Sequence, residues 1–260
     1  MSSTAIFYPV NNSPWIFRGV FNPQKLWVDA HSTEGIKGIS ATITGGASQY
    51  MIRLGVQTTP NYYYTFNRTG IIFNITGLPH NAVAQSAQLY FTGVIKTNGW
   101  AAASFGISLY PWYPDTYTNL TASTNFSTLG VPTASLATPI LYTNFATGST
   151  SPRPYNILSL NSAGLSYVST SGYTAFGLRE STYDGPNIPP TWEAATGGSE
   201  KVMYYLTFDM MATANPVKLV IVWDIVPNNN YASGTLVNGL KISKNKAAHY
   251  KRESRLETIN

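Results

Sequence analysis

The pattern that decides the fold lies in residues 61–94, NYYYTFNRTGIIFNITGLPHNAVAQSAQLYFTGV. The aromatic and β-branched run Tyr62–Phe66 predicts a strand, because such side chains pack well on a pleated surface. Asn67–Gly70 is rich in turn-forming residues and predicts a turn. The apolar run Ile71–Ile75 that follows predicts a second strand.

A break and a third strand complete this stretch. Gly77–Asn81 contains a proline, which cannot donate to a strand ladder, so the second strand should end there. Apolar and polar residues then alternate over Ala87–Val94, as in a half-buried strand. Similar patterns predict strands at Ile39–Thr44, Tyr50–Val56, 101–110, Ile140–Asn144, Tyr155–Leu160, Leu165–Thr170, 171–180, Lys201–Asp209 and Val217–Val226. Gly45-Gly46 is predicted to join the first two of these as a hairpin.

About a dozen short strands with frequent turns indicate an all-β fold. No long segment before the basic C-terminal end keeps a 3.6-residue apolar period, so helices should be few and short. We predict a jelly-roll-like antiparallel β-sandwich at 36–226, with an N-terminal aromatic arm at 1–35 and a basic C-terminal extension at 227–260. The predicted core residues are Leu89, Phe91, Ile72, Phe176, Leu178, Leu219 and Ile221.

The composition is poor in charge. Of the 260 residues, 43% are hydrophobic, 13% aromatic and only 10% charged, whereas an average soluble domain is about 25% charged. Surfaces of this kind suit adhesins, fibres and virion proteins; the alternative is an ordinary β-rich domain, since strands favour Thr and Tyr. The absence of cysteine excludes disulfides, thiolate metal sites and a cysteine nucleophile.

Four large aromatic residues lie near the N-terminal end, where little strand pattern is visible. Large aromatic side chains in an irregular segment usually hold it against a surface. We therefore predict that this arm is buried, either on its own sandwich or on another subunit. The predicted assembly contacts in the arm are Trp15, Phe17, Phe21 and Trp27.

Positive charge is concentrated at the other end, because residues 241–260 hold six of the 16 Lys and Arg but only two of the 11 acidic residues. Such a segment can dock on an acidic partner; the alternative, which is favoured, is a solvated terminal helix or a frayed end. Nucleic acid is not the expected partner. The predicted assembly contacts here are Lys244, Lys246, Lys251 and Arg252.

The first residues show no basic segment followed by an apolar one, so no secretory signal peptide is predicted. The longest apolar runs, such as Val217–Val226, are too short to span a bilayer and contain Lys218 and Asp224. The expectation is a protein made in a cytoplasm, with no membrane span.

Catalytic motifs are scarce. The only histidines form no metal-binding pattern, and there is no Gly-x-Ser-x-Gly elbow, P-loop or dinucleotide fingerprint. The histidines are His31, His80 and His249. No metal or cofactor is predicted.

Three carboxylates, Glu180, Asp184 and Glu193, lie in one loop region. A pair of carboxylates at the right separation would suit glycoside hydrolysis. Asp184 with nearby carbonyl oxygens would suit Ca²⁺, although such a site usually needs more than one carboxylate. The favoured alternative is that Arg179 and Glu180 cap a strand and Asp184-Gly185 forms a turn. No catalytic residue is therefore predicted.

An aromatic patch lies farther along the chain, in a turn-rich segment. Trp112, Tyr113 and Tyr117 are predicted ligand-binding residues, because flat rings form platforms on which sugars stack. The alternatives are a subunit interface, where aromatics are enriched, and core filling, which is the favoured role for Tyr110.

The order of these elements resembles the carbohydrate-binding-module-like jelly rolls of the DNRLRE type, found in bacterial surface proteins and phage structural proteins. The resemblance covers about 36–226 and implies a fold more than an activity, since its motifs are framework residues. The matching residues are Phe73–Pro79, Ser86–Phe91, Gly172–Glu180 with Asp184, and Val217–Trp223. The lack of a signal peptide departs from secreted members and favours a virion component over an accessory module of a polysaccharide-degrading enzyme.

The sequence therefore predicts a non-enzymatic virion structural or attachment protein, such as a phage capsid decoration, fibre or tail component. Its expected partners are other copies of itself, other virion proteins and a host surface glycan, with many copies giving avidity. The alternatives are a stand-alone carbohydrate-binding protein and, third, a glycoside hydrolase.

Overall fold

The computed structural model describes residues 2–10, 15–31, 39–41, 49–99, 105–114, 128–129, 131, 133–168, 172–195, 200–209, 212–225, 236–237, 240–241 and 257–258. Only the backbone is described at 15–25, 39–41, 49–51, 236–237, 240–241 and 257–258. The chain forms two compact units, Met1–Asp224 and Ile225–Asn260.

The first unit consists mainly of β-strands. They are β1 (Ser3–Phe7), β2 (Trp15–Leu26), β3 (Ile39–Ala41), β4 (Gln49–Val56), β5 (Tyr62–Asn74), β6 (Ala82–Asn98), β7 (Gly106–Pro111), β8 (Ile140–Leu141), β9 (Tyr155–Ser159), β10 (Tyr173–Glu180), β11 (Lys201–Asp209) and β12 (Lys218–Ile225). The described helices are short: α1 (Trp27–His31), α2 (Ser162–Tyr167) and a 3-10 helix at Tyr142–Asn144.

These strands are hydrogen-bonded in the order β1-β12-β6-β11-β4-β5-β10-β7-β8, while β2 pairs with β3 and β5, and β9 pairs with β6. Every pair whose register is described is antiparallel. The sheet curls on itself and encloses an apolar core. The predicted all-β, jelly-roll-like architecture is confirmed.

All seven residues that the sequence pattern predicts for the core are buried in it. Each of the seven is on a strand and exposes 3% or less of its surface. They are Leu89 and Phe91 on β6, Ile72 on β5, Phe176 and Leu178 on β10, and Leu219 and Ile221 on β12.

The predicted turn at Asn67–Gly70 is wrong, because β5 passes through it without a break. Asn67, Arg68 and Thr69 are all completely buried. A Cβ at Gly70 would lie 2.4 Å from Cζ3 of Trp112, so glycine is needed here to let the indole approach the strand. The turn-like composition marks a crowded polar segment inside the sheet.

Two other local predictions differ from the structure. Among the described strand pairs, β3 pairs with β2 and not with β4, so the predicted hairpin pairing is not found; Gly45-Gly46 itself lies outside the described residues. The predicted strand at Leu165–Thr170 is helical through Tyr167. Asn161 starts that helix, because its side chain accepts a 2.9 Å hydrogen bond from the Gly164 N–H.

The N-terminal region predicted as an irregular arm contributes two strands to the main sheet. β1 pairs with β12, and β2 pairs with β5 with a register shift between Val20 and Lys25. Asn22-Pro23 lies inside that shift and hides the two-residue period. The boundary predicted at residue 35 therefore does not separate an arm from the sandwich.

The second unit holds a small antiparallel sheet of β13 (Leu236–Val237), β14 (Leu240–Lys241) and β15 (Glu257–Thr258). The predicted basic contacts lie outside the described residues; these are Lys244, Lys246, Lys251 and Arg252. In the described parts of the chain, no helix is long and apolar enough to cross a membrane.

Candidate functional site

Four charged side chains lie in the interior of the first unit with no exposed surface. They are Arg68 on β5, Arg179 and Glu180 on β10, and Asp184 in the turn after β10. The β5–β10 register pairs Thr69 with Leu178, so its next position would set Arg68 opposite Arg179. Burying like charges side by side is costly unless an anion compensates them.

Asp184 supplies that anion. Arg68 donates from Nη2 to Oδ1 at 2.7 Å and from Nε to both carboxylate oxygens at 3.1 Å. Arg179 donates from Nη2 to Oδ1 at 2.9 Å and from Nε to Oδ2 at 3.2 Å. Burial alone would raise the pKa of the carboxyl, but the two guanidiniums outweigh it and hold the pKa well below its usual range. Asp184 is therefore ionised and fully engaged.

Glu180 orders the turn that carries Asp184. Its carboxylate accepts hydrogen bonds from the backbone N–H groups of Thr182 and Tyr183 at 2.6 Å each, and of Asp184 at 3.0 Å. Burial raises the pKa of Glu180 to about 6, although these hydrogen bonds act in the opposite direction. The structure thus contains the predicted turn at Asp184-Gly185 and a Glu180 that caps the end of β10, whereas Arg179 binds Asp184 instead of capping the strand.

His31, at the end of α1, closes the cluster. Its Nε2 lies 2.8 Å from the carbonyl oxygen of Asp184, which can only accept, so Nε2 carries the proton. Burial lowers the pKa of His31, which is therefore a neutral donor. The indole of Trp27 packs against this imidazole, with ring centroids 5.3 Å apart. Its Nε1 donates a 2.9 Å hydrogen bond to Oδ1 of Asn187.

The position of Trp27 tests its predicted role as an assembly contact. Trp27 is buried on its own sandwich, which was one of the two alternatives, so it is not a subunit contact. Trp15, Phe17 and Phe21 lie on β2, where only the backbone is described.

The cluster is a closed structural unit and not an open reactive centre. The ring centroid of Phe66 lies 4.5 Å from Cζ of Arg68, and the ring centroid of Tyr110 lies 4.8 Å from Cζ of Arg179. Both guanidiniums contact the Asp184 carboxylate, so a Ca²⁺ ion there would replace existing bonds and meet two positive charges. Within the described residues, no group of three or more His, Cys, Asp or Glu is placed to hold a metal ion.

The structure does not bring the three predicted carboxylates into one exposed site. Glu180 and Asp184 are enclosed, while Glu193 is near the surface and accepts a 2.6 Å hydrogen bond from Lys201. A hydrolytic pair needs contact with substrate and water, which the enclosed carboxylates lack.

The predicted aromatic platform is also divided. Trp112 is a core residue with only 1% of its surface exposed, and its Nε1 donates to Oγ1 of Thr128 at 3.1 Å, so its ring cannot receive a sugar. Tyr113 is 66% exposed, and its ring meets that of Tyr167 in a T-shaped arrangement with centroids 5.7 Å apart. Tyr117 lies outside the described residues. Tyr110 is buried, as favoured.

A surface that the sequence analysis missed lies on the outward side of β1, β12, β6 and β9. Tyr90 and Tyr155 meet edge to face at 5.4 Å, and Lys218 Nζ lies 5.2 Å and 5.0 Å from their ring centroids. We call this surface the tyrosine face. Its members are Ile6, Tyr8, Tyr90, Tyr155, Ile157, Lys218, Val220 and Val222.

The tyrosine face is largely apolar and continues across strands. Register places Ile6 beside Val220 and Tyr90 beside Ile157. Ile6 and Tyr8 are 51% and 53% exposed. The signal for it was in β12, where Lys218–Ile225 carries apolar residues at both inward and outward positions instead of alternating.

No protein-family model matches the chain, and no curated protein matches its sequence. The resemblance to DNRLRE-type jelly rolls therefore stays a prediction.

Proposed function

We propose that this protein is a non-enzymatic structural component of a multi-copy particle, and that the particle is a virion. It acts through its surface, as a capsid decoration, fibre or tail protein. The observation that carries the proposal is the tyrosine face, which includes β1, the strand at one end of the described strand order. Contiguous exposed apolar and aromatic surface on a folded protein marks contact sites for other proteins.

The position of the ionisable groups supports the same proposal. Arg68 and Arg179 are both paired with Asp184 inside the sheet, and Glu180 is bound by backbone N–H groups. Such groups hold a fold together. The low charge of the chain and its jelly-roll-like fold suit a protein packed against many copies of itself.

Electron microscopy of the purified full chain at increasing concentration tests the proposal. We expect oligomers of one regular size and symmetry, since homo-oligomers usually close with point-group symmetry. Fields of single, unassociated molecules at every concentration would overturn it. The variant Tyr8→Asp/Ile157→Asp, which places charge on the tyrosine face, should reduce assembly, whereas Ile188→Asp, at an exposed loop position, should not.

A second candidate is a stand-alone carbohydrate-binding protein, and the exposed ring of Tyr113 favours it. Glycan-array binding by the monomeric chain that is lost in Tyr113→Ala would support this candidate. Binding unchanged in Tyr113→Ala, or no binding at all, would remove the observation on which it depends.

A further inference from the structure

The outermost strand β1 has one hydrogen-bonding edge that no other described strand uses. Its other edge pairs with β12 in an unbroken register from Ser3↔Trp223 to Phe7↔Leu219. Natural proteins usually protect such edges with charged residues, proline or bulges. The sequence of β1, STAIF, has no charge and no proline, and its pairing has no bulge.

The two faces of β1 differ. Ala5 and Phe7 pack against the core, whereas Thr4 and Ile6 are exposed. An added strand would therefore extend the core-covering sheet and lengthen the tyrosine face at once.

We infer that β1 pairs with β1 of a second copy, antiparallel, with the two-fold axis at Ala5. This deepens the proposed function, on which it rests, by naming a partner and a strand. The side chains of the two β1 strands are compatible about that axis. The small Ala5 lies opposite Ala5 of the second copy, and Thr4 lies opposite Ile6 of the second copy. Thr and Ile are both β-branched and suit a pleated, half-buried surface, and the neutral strand brings no like charges together.

Charge on the neighbouring strand favours the antiparallel direction. The β1–β12 register, continued by one residue at each end, sets Tyr8 beside Lys218 and Ser2 beside Asp224. Rotation about Ala5 places the Tyr8 row of one copy against the Ser2 row of the other. Lys218 then shares a row with Asp224 of the second copy, roughly 14 Å away over three strand spacings. Parallel pairing through the same edge would turn the tyrosine faces of the two copies to opposite sides of the sheet and would lose this charge pairing. At that distance salt screens the attraction, so the charges add little to the affinity.

Cysteine cross-linking tests the pairing, because the chain contains no cysteine of its own. Two full-length variants, Thr4→Cys and Ile6→Cys, are prepared separately and then mixed under mild oxidation. Opposed residues have Cα atoms about 4.5–5.5 Å apart, within the range a disulfide requires. Two copies of position 4 would lie about 8 Å apart along the diagonal, which is too far. Both positions are exposed, so neither change threatens the fold.

We expect the mixture to form a disulfide-linked dimer at least ten times faster than either variant alone. The control is Ile188→Cys, an exposed loop position with 53% exposure, close to the 51% of Ile6. Equal rates for one variant alone and for the mixture would overturn the antiparallel register.

The failure of this inference differs from that of the proposed function. If the unmodified chain is oligomeric but no variant cross-links faster than Ile188→Cys, β1 is not the interface and the proposed function stands. If the unmodified chain is a monomer at every concentration, both are wrong.

Discussion

Arg68 and Asp184 are joined by a 2.7 Å hydrogen bond from Nη2 to Oδ1, although 116 residues separate them in the chain and neither side chain is exposed. Arg179 donates to the same oxygen at 2.9 Å. The contact ties the middle of β5 to the end of β10 and to the turn that follows. The cluster thus fixes the position of three chain segments inside an otherwise apolar core.

Replacing Asp184 by Asn should strongly destabilise the first unit. Asn keeps the shape but removes the negative charge, so two buried guanidiniums would face each other without an anion. Removing one partner of a buried ion pair costs about 3–5 kcal/mol. The free energy of unfolding, measured by urea titration, should fall by that amount.

The matched control is Glu193→Gln, which removes the carboxylate that pairs with Lys201 near the surface. Pairs of this kind contribute about 0–1 kcal/mol. If the two variants lost similar stability, the ionic cluster would not have the structural role assigned to it.

Glu180 should make stability depend on pH. Its pKa is raised from 4.5 to about 6 by burial, so the folded chain binds the proton more tightly than the unfolded chain. Its contribution to stability is therefore fully present below about pH 4.5 and is lost as pH rises to about 6. The shift corresponds to about 2 kcal/mol. The free energy of unfolding of the wild type minus that of Glu180→Gln should decrease by this amount from about pH 4 to about pH 7; a constant difference would contradict the assignment.

His31 makes stability depend on pH in the opposite direction, in an overlapping pH range. Burial lowers its pKa from 6.5, so as pH falls the unfolded chain binds a proton at His31 before the folded chain does. Stability from the neutral imidazole is lost as pH falls below about 6.5. Relative to His31→Gln, which keeps a donor for the Asp184 carbonyl, the wild type should lose stability between about pH 7 and about pH 5. Parallel pH profiles of the two proteins would disprove this.

Gly70→Ala should destabilise the sheet because its Cβ would overlap the indole of Trp112 at 2.4 Å. Overpacking of this kind costs about 1–3 kcal/mol. Trp112→Phe removes the overlapping ring atoms, so the double variant should be more stable than the sum of the single effects predicts. Gly77→Ala, whose Cβ would come no closer than 3.7 Å to Phe7 Cε1, should be nearly neutral in thermal melts. Additive effects at Gly70 and Trp112 would contradict the packing explanation.

Strand positions could be predicted wherever alternation reports burial. The stretch Lys201–Asp209 was assigned from its pattern alone, and β11 has the same bounds. Alternation failed at Asn67–Gly70, because polar residues and glycine there signal a turn unless their partners are known. The partner of Arg68 is Asp184, and nothing in the local sequence indicates a contact over that separation. Natural sequences break local rules most often at such special sites.

The tyrosine face was missed for a different reason. The run Val217–Val226 predicts a strand with Leu219 and Ile221 in the core, but sequence alone does not tell that the other side of this strand faces no other described layer. Strand order supplies that information, since it places β1 at the end of the sheet with β12 beside it.

The central claim, that this chain acts by assembling with copies of itself, is tested most directly by its mass in solution. Sedimentation equilibrium of the full chain should give a concentration-dependent mass that rises from 28.4 kDa to a fixed whole-number multiple. A mass that stays at 28.4 kDa over the whole concentration range would contradict the claim.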